Sequence, residues 1–170
     1  MNFNRIYAIA ASDPRGIIGK SGKLPWHCPE DLQHFSNTTY NHIMVMGFQT
    51  YLTIPKFYFR ERLGIVLSHQ HHLENENNVI FVNSLEEFLG LKHLPEDKDI
   101  YVIGGAQIYN LFLQANLIKK VILTELKQSY EGDTFFPSSL IQNWPRQKIQ
   151  ENGLFCIYQY FKPDTKPYAS

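Results

Sequence analysis

Short apolar runs recur along the chain and are separated by segments of mixed polarity. They occupy positions 6–11, 43–46, 65–67, 79–82, 100–103 and 121–124. Each run is rich in β-branched residues and is apolar at consecutive positions, as in parallel strands that helices cover on both faces. The strict alternation typical of a one-sided antiparallel sheet is mostly absent. The pattern therefore predicts a buried, mostly parallel sheet.

Helical patterns fall between these runs. Pro29 opens one that extends to about Thr38, and others cover 50–54, 84–91 and 105–114. The third begins with a capping box, in which Ser84 is followed by Glu87. After Pro145 the tail indicates strands, and we predict that 154–161 forms an antiparallel edge pair. The order of elements predicts an α/β fold: a doubly wound sheet, with no linker that would divide residues 1–170 into two domains.

Composition narrows the classes of protein to which the chain can belong. Lys plus Arg and Asp plus Glu are both 16 in 170 residues, so the chain lacks the basic excess of a nucleic-acid-binding or membrane-surface protein. Cys28 and Cys156 form no CxxC motif, which favours a reducing cytoplasm. The first apolar run is too short for a signal sequence or a membrane span. Aromatic residues are abundant, with 12 Phe, 10 Tyr and 2 Trp, and we expect them in the core or in a pocket.

Two glycine turns follow predicted strands and open helices. One is Gly104-Gly105-Ala106, and the other runs from Gly47 to Thr50. Glycine allows close approach to a ligand, and a helix N-terminus favours an anion. Neither turn is a specific motif, and both are compatible with ordinary strand-to-helix connections. Two such turns in one chain suggest a ligand with separated phosphates, such as a dinucleotide.

A glycine-containing loop, 16–26, leads into the first predicted helix. Long loops in compact domains often act as lids. On that helix Asp31, Leu32 and Phe35 share a face, and Trp26 precedes them. The helix pattern alone favours Asp31 as an exposed first-turn residue. The alternative is a buried acid, in which desolvation raises the pKa while the helix N-terminus lowers it.

Taken together, these segments resemble dihydrofolate reductases of the bacterial type along most of the chain. Eight motifs occur in the family's order, which is far more specific than any one of them. They lie at 6–11, 16–19, 24–26, 29–35, 45–51, 65–68, 102–109 and 131–137.

The resemblance implies the fold and the reaction. The fold would be a central, mostly parallel eight-stranded sheet with about four flanking helices and a C-terminal antiparallel hairpin. The reaction would be hydride transfer from NADPH to C6 of dihydrofolate with protonation of N5, in a monomeric cytoplasmic enzyme that binds antifolate inhibitors. The loop from about Asp13 to Cys28 would be the lid, and Asp133 would accept its backbone N–H groups near Gly19.

The resemblance also implies site residues. Catalytic roles would fall to Asp31, Trp26, Leu24 and Thr124. The substrate would contact Ala11, Asp31, Leu32, Phe35, Ile54, Arg62, Ile103, Tyr109 and Thr124. Of these, Asp31 would hydrogen-bond the pterin, Trp26 would hold a water against it, and Arg62 would take the glutamate α-carboxylate. The cofactor would contact Ala11, Ile18, Gly19, Gly47, Phe48, Gln49, Thr50, Leu67, Ser68, His69, Gln70, Gly104, Gly105, Ala106, Gln107, Ile108 and Tyr109. No metal is implied.

The sequence departs from the family at the cofactor's 2′-phosphate. Positions that are usually basic hold Phe48, Gln49, Asn83 and Gln107. Histidines at 69, 71 and 72 follow the strand that ends at Leu67, where the family also contacts the 2′-phosphate. Free imidazole is only partly charged at neutral pH. We expect weaker discrimination between NADPH and NADH than is usual, improving as pH falls. Phe48 could instead stack on adenine, and the histidines could form a solvated surface turn.

Two rival functions stay open at this point. A fold-related pyrimidine reductase of riboflavin synthesis would share the glycine turns, but would lack the segment from Pro25-Trp26 to Asp31-Leu32. A non-catalytic nucleotide-binding module would not need the substrate-side residues Asp31, Phe35, Arg62 and Thr124, which are all present.

Overall fold

A computed structural model describes residues 3–70 and 74–164. Within these ranges, ten strands are present: β1 (Ile6–Ser12), β2 (Ile17–Gly19), β3 (Ile43–Gly47), β4 (Leu63–Leu67), β5 (Val79–Val82), β6 (Ile100–Val102), β7 (Lys120–Leu126), β8 (Thr134–Phe135), β9 (Arg146–Glu151) and β10 (Phe155–Phe161). The α-helices are α1 (Pro29–Thr39), α2 (Phe48–Thr53), α3 (Leu85–Leu89) and α4 (Ala106–Gln114). A 3₁₀ helix covers Lys56–Arg60.

Eight strands form one sheet in the order β5-β4-β3-β6-β1-β7-β10-β9. The first six in that order pair in parallel, and β10 runs antiparallel to both β7 and β9. This confirms the predicted eight-stranded, mostly parallel sheet with about four helices and a C-terminal antiparallel hairpin. Crossovers between parallel strands place helices on the sheet faces.

The central strands are buried on both faces. Along β3, Val45 packs into one hydrophobic cluster, whereas Met44 and Met46 pack into another. All three are fully buried, with 0% exposure. Apolar residues at every position therefore bury both surfaces, which explains why the runs do not alternate.

The tail prediction was wrong in one respect. Residues 155–161 form a single strand rather than a pair, and this strand lies inside the sheet between β7 and β9. Its hairpin partner, β9, is exposed at every position. A strand of mostly polar residues carries no hydrophobic signal, so its pairing could not be read from periodicity. Helix α3 is also shorter than predicted, because it ends at Leu89 and Gly90 caps it.

A small second sheet, absent from the sequence prediction, pairs β2 with β8. It holds residues 17–19 against the segment that follows Gly132. A Cβ atom on Gly132 would lie 2.6 Å from the carbonyl oxygen of Gly19. Only glycine permits this close approach, because it has no Cβ.

Parallel pairing brings the carboxyl ends of β1, β3, β4 and β6 to one edge of the sheet. Gly47, for example, lies opposite Leu67 in register. Ligands of open α/β sheets bind at this edge. Both glycine turns, Ser68 and the start of the lid follow these strand ends directly.

Candidate active site

Asp31 is buried at the start of α1, with 8% of its surface exposed. The first turn of α1 begins at Pro29, and no side chain in the described part of the chain caps it. The helix pattern alone had favoured an exposed Asp31, and that expectation was wrong. The helix pattern describes α1 alone, whereas other elements of the fold cover the face of α1 that carries Asp31.

Burial raises the pKa of Asp31, and a hydrogen bond with the side chain of Thr124 partly opposes that rise. Thr124 is 1% exposed on β7, opposite Ala11 of β1. Desolvation, which raises the pKa of Asp31, therefore exceeds the effects that stabilise the carboxylate and lower that pKa. A carboxylate of this kind binds strongly to a ligand that offers paired N–H donors.

Trp26 lies in the hydrophobic cluster beside the start of α1. Its side chain is buried, and its Nε1 has no hydrogen-bond partner within residues 3–70 and 74–164. Buried N–H groups are nearly always paired with protein, water or ligand. The indole N–H is therefore free to donate to a bound molecule or to a water that it holds.

The apolar walls that the resemblance implies come from several elements. Phe35 and Ile103 pack against two hydrophobic clusters, Ala11 against one of them and Ile54 against the other. Leu32 is 39% exposed and Leu24 is 51% exposed, so each presents apolar surface to solvent. The structure thus brings Ala11, Phe35, Ile54 and Ile103 into adjoining clusters, and leaves Leu24 and Leu32 more open.

Tyr109 connects the Gly104-Gly105 turn to strand β1. Its hydroxyl donates to the carbonyl oxygen of Ile9 at 2.7 Å, and burial raises its pKa. A Cβ atom on Gly104, whose φ is +122°, would lie 3.3 Å from that hydroxyl. The peptide bond between Gly104 and Gly105 is cis.

The two glycine turns meet. The backbone N–H of Gly47 donates to the carbonyl oxygen of Gly104 at 2.9 Å. A Cβ atom on Gly47 would lie 3.0 Å from Ile108, and one on Gly105 would lie 3.9 Å from Thr50 Oγ1. Helix α4 begins at Ala106, and its first N–H groups lack intrahelical acceptors. The junction therefore suits an anionic group, and these residues fit a dinucleotide cofactor.

The other predicted cofactor residues lie around this junction and along the same sheet edge. Leu67 and Ser68 are buried at the end of β4, and Ser68 Oγ accepts from the backbone N–H of Gln70 at 3.2 Å. Ile18 and Gly19 lie on β2. His69, Gln70, Gln49 and Gln107 are exposed, and His71 and His72 lie outside the described residues. The ring centroids of Phe48 and Tyr51 lie 6.1 Å apart, with the ring planes 30° from parallel.

Arg62 is 5% exposed and is held by internal hydrogen bonds. Its Nε donates to Thr39 Oγ1 at 2.9 Å, and one terminal nitrogen donates to both Ser36 oxygens, the carbonyl at 2.6 Å. The other terminal nitrogen donates to the Tyr58 carbonyl at 3.3 Å. Among the described residues, one N–H of the guanidinium makes no hydrogen bond, and the Glu61 carboxylate lies 4.0 Å from the nitrogen that carries it. Arg62 can therefore form a bidentate pair with a ligand carboxylate only if it releases its hydrogen bond to the Ser36 hydroxyl.

The lid, residues 13–28, is fastened at its start by Asp13. This residue is 1% exposed, and its carboxylate accepts the backbone N–H groups of Arg15, Ile17 and Tyr130 at 2.9–3.0 Å. Burial acts to raise the pKa of Asp13, but these hydrogen bonds together with Arg15 hold it below its usual value.

Sequence reasoning named Asp13 only as the start of the loop and missed this anchoring role. It also missed Tyr130, whose ring packs on Trp26 at 5.3 Å. The dipeptide Asp13-Pro14 at a strand end was an available signal, since aspartate accepts backbone N–H groups in such turns. Tyr130 carries no local signal, because its contact with Trp26 spans more than a hundred residues.

Among the described residues, no group of three or more His, Cys, Asp or Glu side chains is placed to hold a metal ion. Within the same ranges, no helix is long and apolar enough to cross a membrane.

An open, mostly parallel sheet with joined glycine turns and a buried carboxylate at its carboxyl edge is typical of a dinucleotide-dependent enzyme with a small polar substrate. Comparison with known proteins narrows this class. The sequence model of a family described as dihydrofolate reductase matches residues 5–153.

Curated relatives of the chain carry the same family name. The chain is 33% identical to the dihydrofolate reductase of Lactococcus lactis over 135 residues, which cover 79% of each protein. It is 39% identical to that of Enterococcus faecium over 126 residues, covering 74% of this chain and 73% of the relative. The dihydrofolate reductase of Enterococcus faecalis, solved with NADP(H) and the compound RAB-propyl, superposes with a TM-score of 0.74. That match has 28% identity and covers 94% of this chain and 96% of the other. The chain belongs to the dihydrofolate reductase family.

Proposed function

We propose that the chain reduces dihydrofolate to tetrahydrofolate with NADPH, with the substrate in the pocket around Asp31 and the cofactor along the glycine turns. The observation that carries the proposal is the buried carboxylate of Asp31, which is paired with Thr124. The buried indole N–H of Trp26, which has no hydrogen-bond partner among the described residues, supports it. When bound, NADPH supplies the hydride that goes to C6 of the substrate.

Asp31 orients and polarises the pterin. Its carboxylate takes two parallel hydrogen bonds, from N3 and the 2-amino group, which fixes the plane of the ring. Thr124 accepts from the same amino group. Because Asp31 faces this edge of the ring, water rather than the carboxylate delivers the proton to N5. Trp26 Nε1 holds an ordered water against the pterin.

The remaining residues keep the site dry and close it. Ala11, Phe35, Ile54 and Ile103 supply apolar walls, and excluding water strengthens the polar interactions that remain. Arg62 binds the glutamate α-carboxylate at the outer end of the substrate. The lid covers the nicotinamide, and Leu24, exposed on that lid, moves toward the reacting rings when it closes.

Three coarser expectations accompany the activity. We propose that residues 1–170 form a single domain, which the one large sheet supports. We propose that the enzyme acts as a cytoplasmic monomer. Antifolates that carry a protonated diaminopyrimidine would compete at Asp31, because they offer this carboxylate a charged, bidentate partner.

An absorbance assay of NADPH oxidation tests the activity. We expect oxidation that depends on dihydrofolate and yields tetrahydrofolate. A riboflavin-type reductase would instead oxidise NADPH only with a ribosylamino-pyrimidine substrate. A non-catalytic module would bind NADPH and folate without turnover, and either result would overturn the proposal.

A further inference from the structure

Asp13 is a buried carboxylate to which the proposed function assigns no step. Its side chain is 0% exposed, at the turn that follows β1. Oδ1 accepts the backbone N–H groups of Arg15 and Ile17, both at 2.9 Å, and so shapes the turn into β2. Oδ2 accepts the backbone N–H of Tyr130, 117 residues away, at 3.0 Å. One oxygen of the carboxylate therefore serves the turn, and the other holds a distant segment.

Arg15 holds Tyr130 as well. Its guanidinium donates to the carbonyl oxygen of Tyr130 and lies 3.4 Å from Oδ2 of Asp13, which it faces as a positive charge. Between Lys127 and Asp133, the backbone hydrogen bonds found in the described part of the chain are those that Tyr130 makes. Asp13 and Arg15 thus bind the N–H and the C=O of one residue, an arrangement that we call the Tyr130 clamp.

The ring of Tyr130 lies against Trp26, with centroids 5.3 Å apart and planes 52° from parallel. Trp26 is 8% exposed, and its Nε1 has no partner among the described residues. Tyr130 also lines an open cavity of about 410 Å³, together with Pro29 and Leu154. Because this side of the tyrosine is open, packing alone does not fix the ring against the indole. The clamp on its backbone supplies the missing constraint.

We propose that Asp13 is a positioning residue for protonation of the substrate, because the Tyr130 clamp fixes the indole of Trp26. This role rests on the proposed function, in which Trp26 holds the water that delivers the proton. The water gives a proton to N5 and regains one from solvent, while C6 receives the hydride of NADPH, so that the C=N bond is reduced. The role goes beyond the proposed function, since Asp13, Arg15 and Tyr130 lie outside the pocket and act through Trp26.

Asp13→Asn tests the clamp at a single hydrogen bond. A carboxamide oxygen in the place of Oδ1 still accepts from Arg15 and Ile17, whereas an amide nitrogen in the place of Oδ2 cannot accept from Tyr130. We expect the hydride-transfer rate in pre-steady-state kinetics with dihydrofolate to fall about tenfold at pH 8, because small displacements of a reacting group are costly. At pH 5 the loss should shrink to less than about twofold, because the substrate arrives already protonated and needs no positioned donor.

Variants of the other two residues of the clamp should behave alike. Arg15→Met acts at a side chain that is 58% exposed, so it should fold as the wild type does and show a smaller loss with the same pH dependence. Tyr130→Ala removes the ring, and adding it to Asp13→Asn should cause little further loss, because both act through one contact. Tyr130→Phe keeps the ring and should retain the wild-type rates.

Trp26 fluorescence gives a readout that is independent of turnover. The chain has two tryptophans, so Trp144→Phe isolates the emission of Trp26. In that background Asp13→Asn should move the emission to longer wavelength, because a displaced indole meets more water. Asp99→Asn is the matched control: this carboxylate accepts from Arg5 at 2.6 Å, just before β6 at the opposite edge of the sheet. It should leave the pH profile and the emission unchanged.

The outcomes are distinct. Unchanged rates in Asp13→Asn and Tyr130→Ala, or a loss of the same size at every pH, would overturn the positioning role and leave the proposed function intact. Additive losses in the double variant would also overturn it, by showing that Asp13 does not act through Tyr130. A wild-type enzyme that does not turn over dihydrofolate would overturn the proposed function itself.

Discussion

The backbone N–H of Ser21 donates to Oδ2 of Asp133 at 3.0 Å. The N–H of Asp133 in turn donates to the carbonyl oxygen of Gly19 at 3.0 Å. These two bonds, with the pairing of β2 and β8, join the lid to the segment after Gly132. The expectation that Asp133 accepts a lid N–H near Gly19 is confirmed. Its role in stabilising the closed lid stays a prediction.

Removing this anchor should slow the reaction. In Asp133→Ala the Ser21 N–H loses its acceptor, so we expect the closed lid to be less populated and the hydride-transfer rate to fall roughly three- to tenfold. Single-turnover kinetics with NADPH and dihydrofolate measure this rate. Asp133→Asn keeps an acceptor oxygen and should lose less. Equal rates in Asp133→Ala and the wild type would show that the anchor does not govern closure.

Neutralising Asp31 should have a pH-dependent effect on the rate. We expect Asp31→Asn to reduce the hydride-transfer rate by roughly a hundredfold at neutral pH, as for other buried groups that stabilise developing charge. The loss should shrink in acid, where the substrate arrives already protonated. Pre-steady-state rates between pH 5 and 8 check this. A loss of the same size at every pH would argue against the orienting and polarising role.

The same substitution should stabilise the fold at neutral pH. The pKa of Asp31 is raised by burial above its usual value of 3.8. The folded state therefore favours the protonated form, and the wild type loses stability as pH rises through the folded pKa. We expect Asp31→Asn to have the larger free energy of unfolding at pH 7, and the advantage to vanish at acidic pH. Urea unfolding at pH 7 and pH 4 measures the difference. A variant that is less stable at pH 7 would contradict the prediction.

His34 should weaken the fold in mild acid. Its Nε2 is buried and has no hydrogen-bond partner in the described part of the chain, and burial lowers its pKa from 6.5. The unfolded chain binds the proton more readily, so stability is lost as pH falls below about 6.5. We expect His34→Gln to show a smaller loss of unfolding free energy between pH 7 and 5 than the wild type. The other histidines are the same in the wild type and the variant, so the difference between the two pH profiles reports on His34. Parallel pH profiles would refute the assignment.

The preference for NADPH over NADH should be weak. Phe48, Gln49, Asn83 and Gln107 carry no positive charge at the expected 2′-phosphate site. A phosphate group gains most from cationic partners, so we expect the Kd values for NADH and NADPH to be similar. Fluorescence titration measures both constants. A strong preference for NADPH would refute the hypothesis.

Much of the fold could be predicted from local patterns. Runs such as Val79–Val82 are too short and too β-branched for helices, and their lack of alternation indicates strands buried on both faces. The capping box at Ser84 is present, since Ser84 Oγ accepts the backbone N–H of Glu87 at 3.0 Å. Periodicity failed for β9, where the residues are mostly polar. Only pairing with β10 makes that segment a strand.

The sequence by itself determined the fold class, the two glycine turns and the identity of the candidate acid, because these depend on residue types and short spacings. Tertiary structure decided how far each of these side chains is buried and which hydrogen bonds it makes. Asp31 is buried and meets Thr124 of β7 in a hydrogen bond, and a helix pattern carries no information on what covers its face. Arg62 is held by Ser36, Thr39 and Tyr58. Burial and long-range hydrogen bonds arise between segments that are distant in sequence, so they become known only when the chain is folded.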